Sequence, residues 1–170
     1  MQKARIFVIH SEKDNYILKR LIHEYQEQTF GKTTLQICFI DSRLAPQLGK
    51  DFGDVVEHEI ASSCYVIAIV TPNSKNSVWV NQEIGYARGA KKDILPMKEK
   101  SMARKGLGFI HSNIDAQLFH ARQRRFPKLD RFFTKEFGEK ASKVVKTPFL
   151  TKATKESSKT SIRRIEPYVV

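Results

Sequence analysis

The sequence predicts an α/β protein, a parallel β-sheet buried on both sides between layers of helices. Three observations carry this reading. Short runs of apolar, β-branched and aromatic residues alternate with stretches whose apolar residues recur at i, i+3, i+4 and i+7. The runs are apolar throughout, as in YVIAIV at Tyr65–Val70, and a strand of that kind needs cover on both faces. Strand and helix follow each other one for one, the order that gives right-handed crossovers and a parallel sheet.

Arg5–His10 (RIFVIH) reads as the first buried strand, and Ser11 and Asp14 behind it are both suited to cap a helix. Leu18, Leu21, Ile22 and Tyr25 mark one face of an amphipathic helix, and Gly31 closes that unit. Leu35–Ile40 (LQICFI) is the second strand, Asp41–Gly49 a loop containing Pro46, and Phe52, Val55, Val56 and Ile60 a second helix. Tyr65–Val70 is the third strand, and Thr71–Ala90 supplies a turn and the third helix. On that helix Val80, Ile84 and Ala87 form the core stripe, with Trp79 and Glu83 expected about 100° round at its border. Ile94–Met97 makes a fourth strand, Gly106 and Gly108 a turn, and Ala116–Phe119 a fifth strand. Leu129, Phe132, Phe133 and Phe137 space a last helix between Pro127 and Gly138. The domain therefore spans residues 1–145, and the Lys/Ser/Thr-rich stretch 146–170 reads as a flexible tail.

A hydrophobic fraction of 41% and a charged fraction of 28% in 170 residues fit one soluble globular domain with a real core. No apolar run approaches the ~20 residues that cross a bilayer, and the N-terminus carries no secretory-signal pattern. The two cysteines, Cys38 and Cys64, fall in the strand regions and read as small buried hydrophobes, with a reducing cytoplasm as the expected compartment. The net charge of +12 is uneven: residues 120–170 hold 14 Lys/Arg against 5 Asp/Glu, and residues 1–119 hold 16 against 13. The basic segment lacks interleaved aromatic platforms and groove-reading motifs, so nucleic acid is not an expected partner.

Several motifs together resemble a Toll/interleukin-1 receptor (TIR) domain of the bacterial and archaeal kind. IFVIHSEKD (Ile6–Asp14) resembles the family's first strand and Ser-x-x-Asp loop, and CFIDSRLAPQLGKDF (Cys38–Phe52) its second strand and proline-bearing BB loop. The strongest likeness is IASSCYVIAIVTPNSKNSVWVNQEIGYA (Ile60–Ala87), with the Thr-Pro-Asn-Ser turn and a Trp-x-x-x-Glu formed by Trp79 and Glu83. KKDILPMKEK and GLGFI complete a likeness that runs over about Ala4–Phe119.

The resemblance implies a flavodoxin-like fold, five parallel strands in the order 2-1-3-4-5. In such a sheet ligands bind beyond the carboxyl ends of the strands where the order reverses. That places His10, Ser11 and Glu12 beside Thr71–Ser77, with Trp79 and Glu83 near the crevice and Asp41 and Arg43 entering from the second strand. The family includes enzymes that cleave NAD+ at the nicotinamide–ribose bond, some of which cyclise the product into a signal nucleotide, including in antiviral defence. Nicotinamide departs as a neutral molecule, so no acid has to protonate it; positive charge grows on the ribose instead, and one fixed carboxylate can stabilise it. A glycosidase, whose leaving group needs a proton, uses two. Glu83 is the expected catalytic group. Trp79 would wall the pocket or carry the adenine, Ser11 would meet ribose or phosphate, and Arg43 the pyrophosphate. NAD+ would be substrate, and no cofactor or metal is expected.

Plainer roles remain open for each residue. Glu83 suits an exposed helix border, Trp79 a packing anchor, Ser11 and Asp14 helix caps, and His10 a half-buried histidine with its needs met. Arg43 and the Asp41–Gly49 loop equally suit a protein-interaction surface. The alternative to an enzyme is a non-enzymatic module that associates with itself or with other TIR domains, and a nucleoside-processing transferase is a third reading. Either of the first two would work with a separate sensor or effector protein.

Overall fold

The computed structural model describes residues 2–40, 52–102, 116–120, 122–123 and 125–141. They form a six-stranded, mostly parallel sheet with helices on both faces. The strands are β1 (Gln2–Ile9), β2 (Thr29–Phe30), β3 (Thr33–Cys38), β4 (Tyr65–Val70), β5 (Asp93–Glu99) and β6 (Gln117–Phe119). The helices are α1 (Asn15–Tyr25), α2 (Phe52–Ser62), α3 (Pro72–Lys75), α4 (Val78–Gly89) and α5 (Pro127–Phe137), with a 3-10 turn at Glu12–Asp14.

The sheet order is β2-β3-β1-β4-β5-β6. Its five parallel strands thus follow the expected 2-1-3-4-5 order. The sixth is the two-residue β2, antiparallel to β3 through Thr29↔Thr34 and Phe30↔Thr33. β1 holds the centre, with Ile6↔Ile37 on one side and Ile6↔Tyr65 on the other.

Full apolar strands find cover on both faces, as their composition demands. Ile6 and Val8 of β1 and Ile67 and Ile69 of β4 pack under α1 and α5 with Leu21, Tyr25 and Phe133. Their neighbours Phe7, Ile9, Val66, Ala68 and Val70 point the other way, against Val56 and Ile60 of α2 and Val80, Ile84 and Ala87 of α4. The period-2 alternation of the pleat divides each strand between two cores.

Four local expectations need correction. Gly31 does not close the α1 unit; it sits at φ +55° in the tight hairpin between β2 and β3. Ser11 and Asp14 occupy cap positions of the 3-10 turn and α1, but neither side chain makes a capping hydrogen bond. The third helix is two, because α3 ends at Asn76 and Ser77 caps α4 anew by accepting from the Val80 N–H. Cys38 is half-buried and Cys64 exposed, so neither is a core residue. The expected Gly106–Gly108 turn and the 146–170 tail lie outside the described residues.

Candidate functional site

β1 runs through α1 to β3 on one side, and β4 through α3 and α4 to β5 on the other. The segments leaving the carboxyl ends of β1 and β4 therefore diverge to opposite faces, the arrangement that opens a crevice in an α/β sheet.

A buried hydrogen-bond cluster ties the crevice's two walls together. Asp14, just after β1, is fully buried; its Oδ2 accepts from Thr71 Oγ1 at 2.6 Å and its Oδ1 from Asn73 Nδ2 at 2.8 Å. Thr71 Oγ1 in turn accepts from the backbone N–H groups of Asn73 and Ser74, and Ser74 Oγ accepts from the Thr71 N–H at 2.7 Å. This capping box closes the N-terminus of α3, and the buried carboxylate is given donors at both oxygens. Thr-Pro-Asn-Ser thus serves two ends at once, a helix start and an anchor for the preceding loop.

His10 is half-buried beside the brace. Its Nε2 donates to Asn15 Oδ1 at 2.8 Å, and its ring meets Phe39 edge-on at 6.1 Å between centroids. Ser11 is half-buried with a hydroxyl that has no hydrogen-bond partner, and Glu12 is exposed. All three leave β1 at the crevice. Asp41 and Arg43 lie outside the described residues.

Glu83 arrives by a different route, on α4, which packs against β1 and α2. At 100° per residue it stands about 70° from the centre of the Val80–Ile84–Ala87 stripe, while Trp79 stands about 110° away. The two are therefore not equal border residues. Trp79 is 52% exposed and Glu83 half-buried. Burial pushes the Glu83 carboxyl up to about 8, and among the described residues it has no hydrogen bond or ion pair that would draw it back. Such a carboxyl keeps its proton near neutral pH until a cation or a hydrogen-bond donor favours the ionised form.

The topology thus brings His10, Ser11 and Glu12 to the Thr71–Ser77 segment, and α4 carries Trp79 and Glu83 on from there. Asp14 is the residue whose part was missed. The signal was a small acid at one strand end and a hydroxyl-plus-amide pair at the next, but only the strand order makes them neighbours.

A family model described as TIR domain matches residues 6–129, a span that runs from β1 into α5. No curated protein matches the chain.

Proposed function

Because this chain belongs to the TIR-domain family, we propose that it is an NAD+ nucleosidase that cleaves the nicotinamide–ribose bond with Glu83 as its catalytic carboxylate. The observation that supports the reading is the half-buried, unbonded Glu83 carboxyl, raised to about 8. Charge held in such surroundings acts on a nearby cation far more strongly than it would in water. In the free protein the group is mostly protonated near neutral pH. The positively charged nicotinamide ring would favour its ionised form, and the carboxylate would then favour the ribosyl cation as the neutral base departs.

The other residues would bind rather than react. The exposed Trp79 ring offers a flat surface to the adenine, and the unpartnered Ser11 hydroxyl offers a hydrogen bond to ribose or phosphate. His10 and Glu12 would line the same end of the crevice. Asp41 and Arg43, which follow β3 in the sequence, would also serve as substrate-binding residues, Arg43 through the pyrophosphate. Cyclisation into a signal nucleotide for antiviral defence would extend the same cation chemistry, with an internal nucleophile in place of water. In this reading the protein works in the cytoplasm beside a separate sensor or effector.

Incubation of concentrated protein with NAD+ tests the proposal by nicotinamide release. Wild type should release it and Glu83→Ala should not; release that persists in the variant removes Glu83 from the mechanism. Chromatography of the second product separates hydrolysis from cyclisation.

One observation favours a second reading, a non-enzymatic TIR–TIR interaction module. Val78 and Trp79 expose 68% and 52% of their surface side by side at the start of α4. Adjacent exposed hydrophobics of this size suit a protein contact. Wild-type protein that self-associates yet releases no nicotinamide when concentrated would decide for this reading.

A further inference from the structure

Far along the sheet from β1, the edge strand β6 and the first turns of α5 enclose a cleft of about 200 Å³. A shallower hollow adjoins it and shares Gln117, Lys128 and Arg131 in its walls. Four cations surround the pair: Lys100 at the end of β5, and Lys128, Arg131 and Lys135 on α5. Among the described residues none of the four has an ion pair or a hydrogen-bonded side chain. The carboxylates of the same helix are engaged elsewhere, Asp130 by Lys140 at 2.8 Å and Glu136 by the Tyr65 hydroxyl at 2.9 Å.

Two further features point to a ligand. Phe126 at the N-cap of α5 provides no side-chain cap, and Phe126, Pro127 and Lys128 line the cleft, so the positive end of the helix borders it, with the Lys128 N–H bonded to no described residue. The Gln117 carboxamide oxygen is shut away from solvent with no partner. A buried acceptor in that state costs about 1–3 kcal/mol, and turning it toward a donor in the cleft breaks no existing hydrogen bond. The occupant should therefore bring negative charge for the lysines and the arginine, and a donor that meets the Gln117 oxygen once its carboxamide turns toward the cleft would add to the binding.

The chain's own C-terminal stretch has the wrong charge for this cleft. Residues 142–170 carry seven Lys/Arg and two Asp/Glu, and a second copy of a +12 chain would arrive with the wrong sign. A bare polyphosphate lacks the N–H or O–H donor. A nucleoside phosphate has both parts, and Leu118, 47% exposed at the cleft mouth, gives its base an apolar surface.

We propose that the cleft between β6 and the start of α5 is a second ligand site that binds a nucleoside phosphate. Its phosphates would be held by Lys100, Lys128, Arg131 and the free N–H of α5, with Lys135 beyond them, and its base or sugar would donate to Gln117. The site is separate from the Glu83 crevice and stands whether or not Glu83 cleaves NAD+.

Calorimetric titration of the full chain at about 0.15 M salt tests this with three probes: ATP, inorganic tripolyphosphate and an oligouridylate. ATP should bind, and tripolyphosphate at least about tenfold more weakly, since it cannot satisfy Gln117. Lys128→Ala with Arg131→Ala should weaken both by about tenfold or more, whereas Gln117→Ala should weaken ATP alone. The dependence of ATP binding on Lys128 and Arg131, which lie on α5 away from β1, separates this site from the crevice. Melting curves of every variant guard against unfolding, because these side chains are exposed or partly so. Equal affinity for tripolyphosphate and ATP, indifference to the Lys128/Arg131 pair, or binding of the oligouridylate without ATP would each overturn the proposal.

Discussion

Glu83 shows what one side chain's surroundings commit it to. The folded chain holds its proton to about 8, where an ordinary glutamate lets go near 4.5. The folded state therefore binds more protons than the unfolded state across that window, and stability falls as pH rises through it. Glu83→Gln should remove this decline, leaving a variant more stable than wild type at pH 8 by on the order of 2 kcal/mol and little changed at pH 4; urea melts at the two pH values check it. In the proposed reaction only the ionised group is productive, so kcat/KM should climb about tenfold per pH unit below 8 and level off above it. A flat profile from pH 6 to 9 would sink that role. Asp14 acts oppositely, as a bonded group whose loss strands others. Asp14→Ala leaves the Thr71 hydroxyl and Asn73 amide without their acceptor and should cost about 2–4 kcal/mol, read as a lower urea midpoint. The sequence showed Glu83 through its spacing from Trp79 and the family motif. It hid Asp14, because a cap and a cross-link look alike until the partner strand is known.

At the scale of elements, periodicity located every long strand and helix and failed where a segment was too short to have a period. β2 has two residues and no alternation to detect, and the break between α3 and α4 rests on Asn76 and Ser77, inside the polar run Asn73–Ser77 that has no apolar residue to mark a period. The docking of α5 shows how tightly such short pieces are held. The Gly31 N–H donates to Glu139 O at 2.8 Å, and a Cβ on Gly31 would stand 2.0 Å from the Phe137 carbonyl oxygen. Gly138 lies against the same point at φ +99°. Gly31→Ala would meet both a left-handed backbone and a backbone clash, and should lose about 2–3 kcal/mol, visible as a lower melting temperature. Tyr25, Phe30 and Phe133, whose rings meet at 5.3–5.5 Å, form the apolar side of this joint. Tyr25 and Phe133 were visible as core residues through their helical spacing; Phe30, in the two-residue β2, was not, and neither was the contact that joins α5 to the hairpin.

For the molecule as a whole, the order of the parallel strands came from the likeness to a family, since alternation of strand and helix fixes the class and leaves many strand orders open. The exposed Val78–Trp79 pair makes a prediction at this scale. Replacing both with serine should lower the average mass seen by light scattering at high concentration, while the melting temperature stays within about 2 °C. The hairpin that receives α5 has a consequence for the path of the chain itself. Gln2 N–H donates to Lys32 O, and Ala141 N–H donates to Thr29 O, so positions 2 and 141 meet at one hairpin, at the end of the sheet opposite the crevice. A short peptide could join them into a closed loop, and the loop could be opened instead in the Ala90–Lys92 turn without cutting a strand or a helix. Such a circular permutant should melt cooperatively with the sheet and the crevice intact. Anything fused at either position would project away from the crevice.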